Sequence, residues 1–116
     1  MANLAEEIID DVRVLHLSGS LTQDNIPLIE SRLRLLTAHK APRIVIDVNE
    51  VDAITTPAIT MFLTALRAAE ATGGRLIFAN VTGITGDIFA RCRLDVIFTM
   101  AGSVEEAVKL AREGAS

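Results

Sequence analysis

The chain has 116 residues, half of them apolar and 22 % charged, with a formal net charge of −4 and neither Trp nor Tyr. Area scaling leaves roughly 6,000 Å² exposed out of about 18,000 Å² in the unfolded chain, so one aliphatic core forms without disulfides or a metal. Apolar runs fall far short of a membrane span, the nine Arg and two Lys form no basic stripe among 15 acids, and Cys92 has no cysteine to pair with.

These features exclude membrane insertion, a nucleic-acid partner and a disulfide scaffold. Glu6, Glu7, Asp10 and Asp11 stand where a signal peptide places positive charge, so a reducing, cytoplasmic setting is expected.

Leu4 to Ile9 and Val12 to Ser18 read as a starting hairpin, whose second strand ends at a turn over Gly19-Ser20. From Asn25 to Ala38, the spacing of Ile26, Ile29, Leu33 and Leu36 predicts one apolar helix face, with Asp24 or Asn25 as cap and Pro27 in the first turn. Arg43 to Val48 lacks alternation and reads as an inner strand covered on both faces, ending in the acidic segment Asp47 to Asp52.

A long helix follows from Pro57 to Thr72, stopped by Gly73-Gly74. Leu76 to Ala79 is another inner strand. Thr82 caps a helix running towards Cys92, whose thiol is expected to be buried, and Val96 to Thr99 reads as the last strand. Ser103 and Glu106 form a capping box for a closing helix that ends at Gly114. The order predicts a single α/β domain over 1–116, with a small mixed sheet of about four to five strands and about four helices.

The segment Ile54-Thr55-Thr56-Pro57 joins an inner strand to a helix N-terminus, where amide donors are free and the helix dipole is positive. Pro57 restricts Thr56 to an extended conformation, which makes Thr56 the expected N-cap. Ordinary capping accounts for a Thr-Pro pair here; an exposed hydroxyl at such a place also suits phosphorylation. The apolar residues of the following helix sweep an arc of roughly 220° at 100° per residue. Phe62, Leu66 and Ala69 are expected to face the sheet, which leaves Met61, Ala65 and Ala68 for a partner or for a neighbouring helix.

Taken together, Ser18-Gly19-Ser20-Leu21, Val45-Ile46-Asp47-Val48 with Val51, Ile54-Thr55-Thr56-Pro57, Gly73-Gly74-Arg75-Leu76, and Ile88-Phe89 with Leu94 and Ile97 resemble the STAS domain over nearly the whole chain. STAS domains occur in bacterial anti-sigma factor antagonists, stressosome scaffolds, sulfate transporter tails and a lipid-transport complex. The resemblance implies a phosphoacceptor hydroxyl in an Asp-Ser-Ser/Thr-Gly pattern whose second hydroxyl falls on Thr56, with Thr55 as second choice. It also implies an anti-sigma factor that is itself a serine/threonine kinase, which binds the unmodified antagonist and is released by phosphorylation, and a phosphatase to reverse the step. Ile54 replaces the family's Asp and Pro57 its Gly, which removes one carboxylate and one backbone donor.

The partner-binding surface is expected over Thr22, Asp24, Thr55, Thr56, Pro57, Ala58, Met61, Ala65 and Ala68. A homo-oligomer is compatible with the family, and a stressosome-type scaffold or a regulatory subunit of a transport complex is the alternative reading. No cofactor is implied, and an enzyme or nucleotide-binding domain would rest only on fold analogy.

The remaining polar residues offer no catalytic set. Asp47, Glu50 and Asp52 read as a solvated strand end rather than as a hard-cation site. His16 and His39 read as surface or edge-strand residues, and Gly83 and Gly86 are too sparse for a phosphate loop.

Overall fold

A computed structural model describes residues 3–113. Strands β1 (Asn3–Ile9) and β2 (Val12–Leu21) pair antiparallel, from Ile9 opposite Val12 to Asn3 opposite Ser18. Their two-residue turn places Asp10 and Asp11 at φ +50° and +69°, the left-handed pair that matches strand twist and that Asp tolerates.

There follow α1 (Ile26–Thr37), β3 (Arg43–Ile54), α2 (Thr56–Ala71), β4 (Arg75–Ala79), α3 (Gly83–Arg91), the single turn α4 (Leu94–Ile97), β5 (Thr99–Ala101) and α5 (Val104–Glu113). The five strands lie in chain order, and every pair after the first is parallel. This is the expected α/β domain with a mixed sheet.

Inner strands are aliphatic without alternation because both faces are covered. Leu15, Leu17, Ile44, Ile46 and Phe78 pack under α1, α2 and α3, whereas Val12, Val14, Val45 and Ile77 pack under Ala107, Val108 and Ala111 of α5. All four phenylalanines meet in the first layer. Phe78 makes edge-on contacts with Phe62, Phe89 and Phe98, at centroid distances of 5.1, 5.1 and 4.8 Å.

Several boundaries differ from the sequence reading. Gly19-Ser20 is not a turn: β2 continues to Leu21, with Gly19 at φ +82° between two register shifts against β3. Those irregularities let β3 also run through the acidic segment to Ile54, since a bulge re-aims a strand without ending it. Val96 and Ile97 belong to α4 and are 82 % and 52 % exposed, so the last strand is Thr99–Ala101, the segment that pairs with β4. Cys92 follows α3 and is exposed, not buried.

Asn25 and Thr82 do precede α1 and α3, although neither side chain caps its helix; the Asn25 amide bonds to the Ser20 carbonyl of β2 instead. The Ser103 hydroxyl accepts the Glu106 N–H at 3.1 Å as expected, and Gly114 lies outside the described residues. Among the described residues, no helix is long and apolar enough to cross a membrane.

Candidate functional site

The carboxyl ends of β2 and β3 converge where Leu21 pairs with Ile54. Thr55 has extended backbone (φ −97°, ψ 166°) and precedes α2. Its N–H and its Oγ1 hydroxyl both donate to the Leu21 carbonyl, at 3.3 and 2.9 Å, and its own carbonyl accepts the Ile59 N–H at 3.2 Å. Thr55, not Thr56, is therefore the N-cap residue. The Leu21 bonds hold it extended, and the helix starts one residue earlier than Pro57 alone suggests.

The loop after β2 is fastened to the same corner. Asn25 Nδ2 donates to the Ser20 carbonyl at 2.8 Å and to Thr22 Oγ1 at 3.3 Å, and Ser20 Oγ donates to Asp52 Oδ1 at 2.7 Å. Half-buried Thr22 and exposed Asp24 thus share one end of the sheet with Thr55 and Thr56.

Thr56 is exposed, as is Pro57, while Ala58 is fully buried. No acidic residue occupies the first turn of α2 and the Thr55 side chain caps none of its amides, so that turn keeps positive character.

The partner edge drawn from the apolar arc needs correction. Met61 and Ala65 are only 4 % and 6 % exposed, and Ala68 is half-buried. They line a narrow groove of about 130 Å³ against Leu33 and Thr37 of α1, because the apolar stripe of α1 must itself be buried and α2 is its neighbour. The free side of α2 carries Thr56, Thr60 and Arg67, with half-buried Ile59 and Leu63 alongside. At 100° per residue, Thr56, Thr60, Leu63 and Arg67 form one stripe, a signal that a search for apolar residues alone passes over.

The three carboxylates of the acidic segment are engaged separately. Asp52 binds Ser20, Glu50 accepts the Asn49 amide, and Asp47 accepts from Asn80 Nδ2 at 2.9 Å and from the Asn49 N–H at 3.0 Å. Burial opposes the charge on Asp47, but the Asn80, Asn49 and His16 hydrogen bonds outweigh it and hold its pKa below the ordinary carboxyl value.

His16 is on an inner strand, not an edge, and contacts Asp47 at 2.7 Å and Glu7 at 2.8 Å. His39 is exposed beyond α1. Among the described residues, no group of three or more ligating side chains is arranged to hold a metal.

Residues 3–107 match the family model of the STAS domain. A comparison with curated protein sequences returned no match. The fold is similar to that of a Thermotoga maritima protein assigned as an anti-sigma factor antagonist, at TM-score 0.85 and 19 % identity over 94 % of both chains. An anti-sigma factor antagonist from Mycobacterium paratuberculosis matches at TM-score 0.83 and 18 % identity, over 97 % of this chain and 95 % of the other. The Bacillus cell fate determinant SpoIIAA in its phosphorylated form matches at TM-score 0.72 and 20 % identity, over 92 % of this chain and 97 % of the other. With the family model covering all five strands, the helices α1 to α4 and the Thr56 corner, the chain belongs to the STAS domain family.

Proposed function

We propose that the chain is an anti-sigma factor antagonist, a non-enzymatic regulator that binds an anti-sigma factor with serine/threonine kinase activity and is released when Thr56 is phosphorylated. The exposed Thr56 hydroxyl in the first turn of α2 carries this reading, because the segment Ile54-Thr55-Thr56-Pro57 resembles the family's acceptor pattern with its second hydroxyl at Thr56. Further support comes from the fold similarity to anti-sigma factor antagonists, one of them solved in a phosphorylated form.

A phosphate would bring a charge of about −1.5 to −2 to a helix start that tolerates it, with little effect on the fold. The same charge on a surface that a partner must desolvate opposes binding. The docking surface in this reading is the corner of Thr22, Asp24, Thr55, Thr56 and Pro57 with the exposed stripe of α2.

Ile54 and Pro57 favour a second reading, a non-switching scaffold or regulatory subunit, since the first lacks the family's carboxylate and the second lacks an N–H beside the acceptor. Co-expression with the cognate kinase followed by intact mass separates the two. The switching reading expects one added phosphate that disappears in Thr56→Val, and Thr56→Glu should bind the kinase more weakly than wild type in a calorimetric titration. An unmodified mass together with equal affinities would establish the scaffold reading instead.

A further inference from the structure

On β2, Val12, Val14 and His16 share one face; α5 covers the first two, whereas the His16 side chain remains 34 % exposed. His16 Nδ1 lies 2.7 Å from Asp47 Oδ2 on β3, and Nε2 lies 2.8 Å from Glu7 Oε1 on β1. An ionised carboxylate only accepts hydrogen bonds, and a neutral imidazole has a single N–H. Both contacts are therefore hydrogen bonds only when the ring is protonated.

The two carboxylates are held differently. Asp47 is 14 % exposed and is fixed independently by Asn80 and by the Asn49 N–H, while Glu7 is 51 % exposed and free to turn to water. Among the described residues, Glu50 on β3 is the remaining charged residue lining the pocket beside His16, and no cation lines it.

We propose that protonated His16 is a pH-dependent strap that fastens the edge strand β1 to the sheet, and that its deprotonation releases Glu7 and loosens β1 while β3 keeps its conformation. On deprotonation the ring gives its Nε2 proton to water and keeps Nδ1–H on Asp47. Its bare Nε2 lone pair then faces Glu7, and the contact becomes repulsive. Burial disfavours the charged ring, but the bonds and charges of Glu7 and Asp47 outweigh burial and place the His16 pKa above its ordinary 6.5. The strap is closed below 6.5 and opens as the pH rises through the folded-state value. The α2 corner stands outside this device, since its bonds to Leu21 involve no titratable group.

Ring resonances followed by NMR through a pH titration, with His39→Gln to assign them, give the His16 midpoint. Amide exchange corrected for base catalysis gives the protection of β1 and α2 at each pH. The expected result is a His16 midpoint above 6.5 and a step in β1 protection of about three- to tenfold at that midpoint, without a step in α2. Glu7→Gln should lower the midpoint and abolish the β1 step. A midpoint at or below 6.5, no β1 step, an equal step in α2, or an unmoved midpoint in Glu7→Gln would each overturn the strap.

Discussion

The Leu21 carbonyl takes two hydrogen bonds from one residue, the backbone N–H and the side-chain hydroxyl of Thr55. This pair of hydrogen bonds crosses from the end of β2 to the start of α2 and fixes the corner on which Thr56 is displayed. Two adjacent threonines thus have separate roles: one hydroxyl is committed to the scaffold, and the other faces solvent.

Replacing each threonine by its near-isostere tests that division. Thr55→Val removes the hydroxyl bond to Leu21 but keeps the volume, and should cost about 1 kcal/mol in urea unfolding. Thr56→Val alters an exposed position and should stay within about 0.5 kcal/mol of wild type. Equal losses in the two variants would contradict the assignment of scaffold and display.

Most of the architecture was legible from the spacing of apolar residues. The helix stripe of Ile26, Ile29, Leu33 and Leu36 and the strand Ile44-Val45-Ile46 are both dictated by burial, and burial writes periodicity directly into sequence. What could not be read depends on pairing across long separations. The strand character of Asp47 to Asp52 rests on register with His16 to Gly19, and the placement of β5 rests on its pairing with β4. Neither leaves a local pattern, whereas the exposed Val96-Ile97 mimics one. The site was half legible: the Thr-Pro signal located the corner, but the cap residue was decided by the distant Leu21 carbonyl. The burial of Met61 and Ala65 was decided by α1.

The glycine pair after α2 gives a second test. Gly73 has φ +83° and its N–H bonds to the Glu70 carbonyl, while the Gly74 N–H bonds to the Ala69 carbonyl at 2.8 Å, the bond pattern that closes a helix through a left-handed residue. Gly74 is needed for a different reason. A Cβ there would lie 2.2 Å from the Pro42 carbonyl oxygen, which also accepts the Arg75 N–H as β4 begins beside β3. That clash is with backbone, so relief requires the strand to move. Gly74→Ala should therefore cost about 1–3 kcal/mol, as overpacking does. Gly73→Ala meets no atom within 4 Å and should cost about 1 kcal/mol from backbone strain alone. Chemical denaturation of both variants checks the order, and a Gly74→Ala protein as stable as wild type would refute the close approach.

Glu6 controls the acid limb of stability. It lies on β1, and its carboxylate receives both Nε and Nη2 of Arg32 from α1, the latter at 2.7 Å, with Arg13 Nη1 at 3.3 Å from β2. The Arg32 hydrogen bonds are the main cause of a Glu6 pKa below the ordinary 4.5, helped by the charges of Arg32 and Arg13 and opposed by burial. Because the folded-state value is the lower one, the unfolded chain takes up the proton first as the medium is acidified. The stabilisation is complete above 4.5 and is lost as the pH falls through the folded-state value. Thermal unfolding of wild type and Glu6→Gln should therefore show a constant gap near neutrality, with wild type the more stable. That gap should narrow below 4.5 as Glu6 itself becomes neutral. The gap should also shrink with added salt, since both guanidinium groups are more than a third exposed. A gap unchanged down to strong acid would mean that Glu6 acts through shape and not through charge.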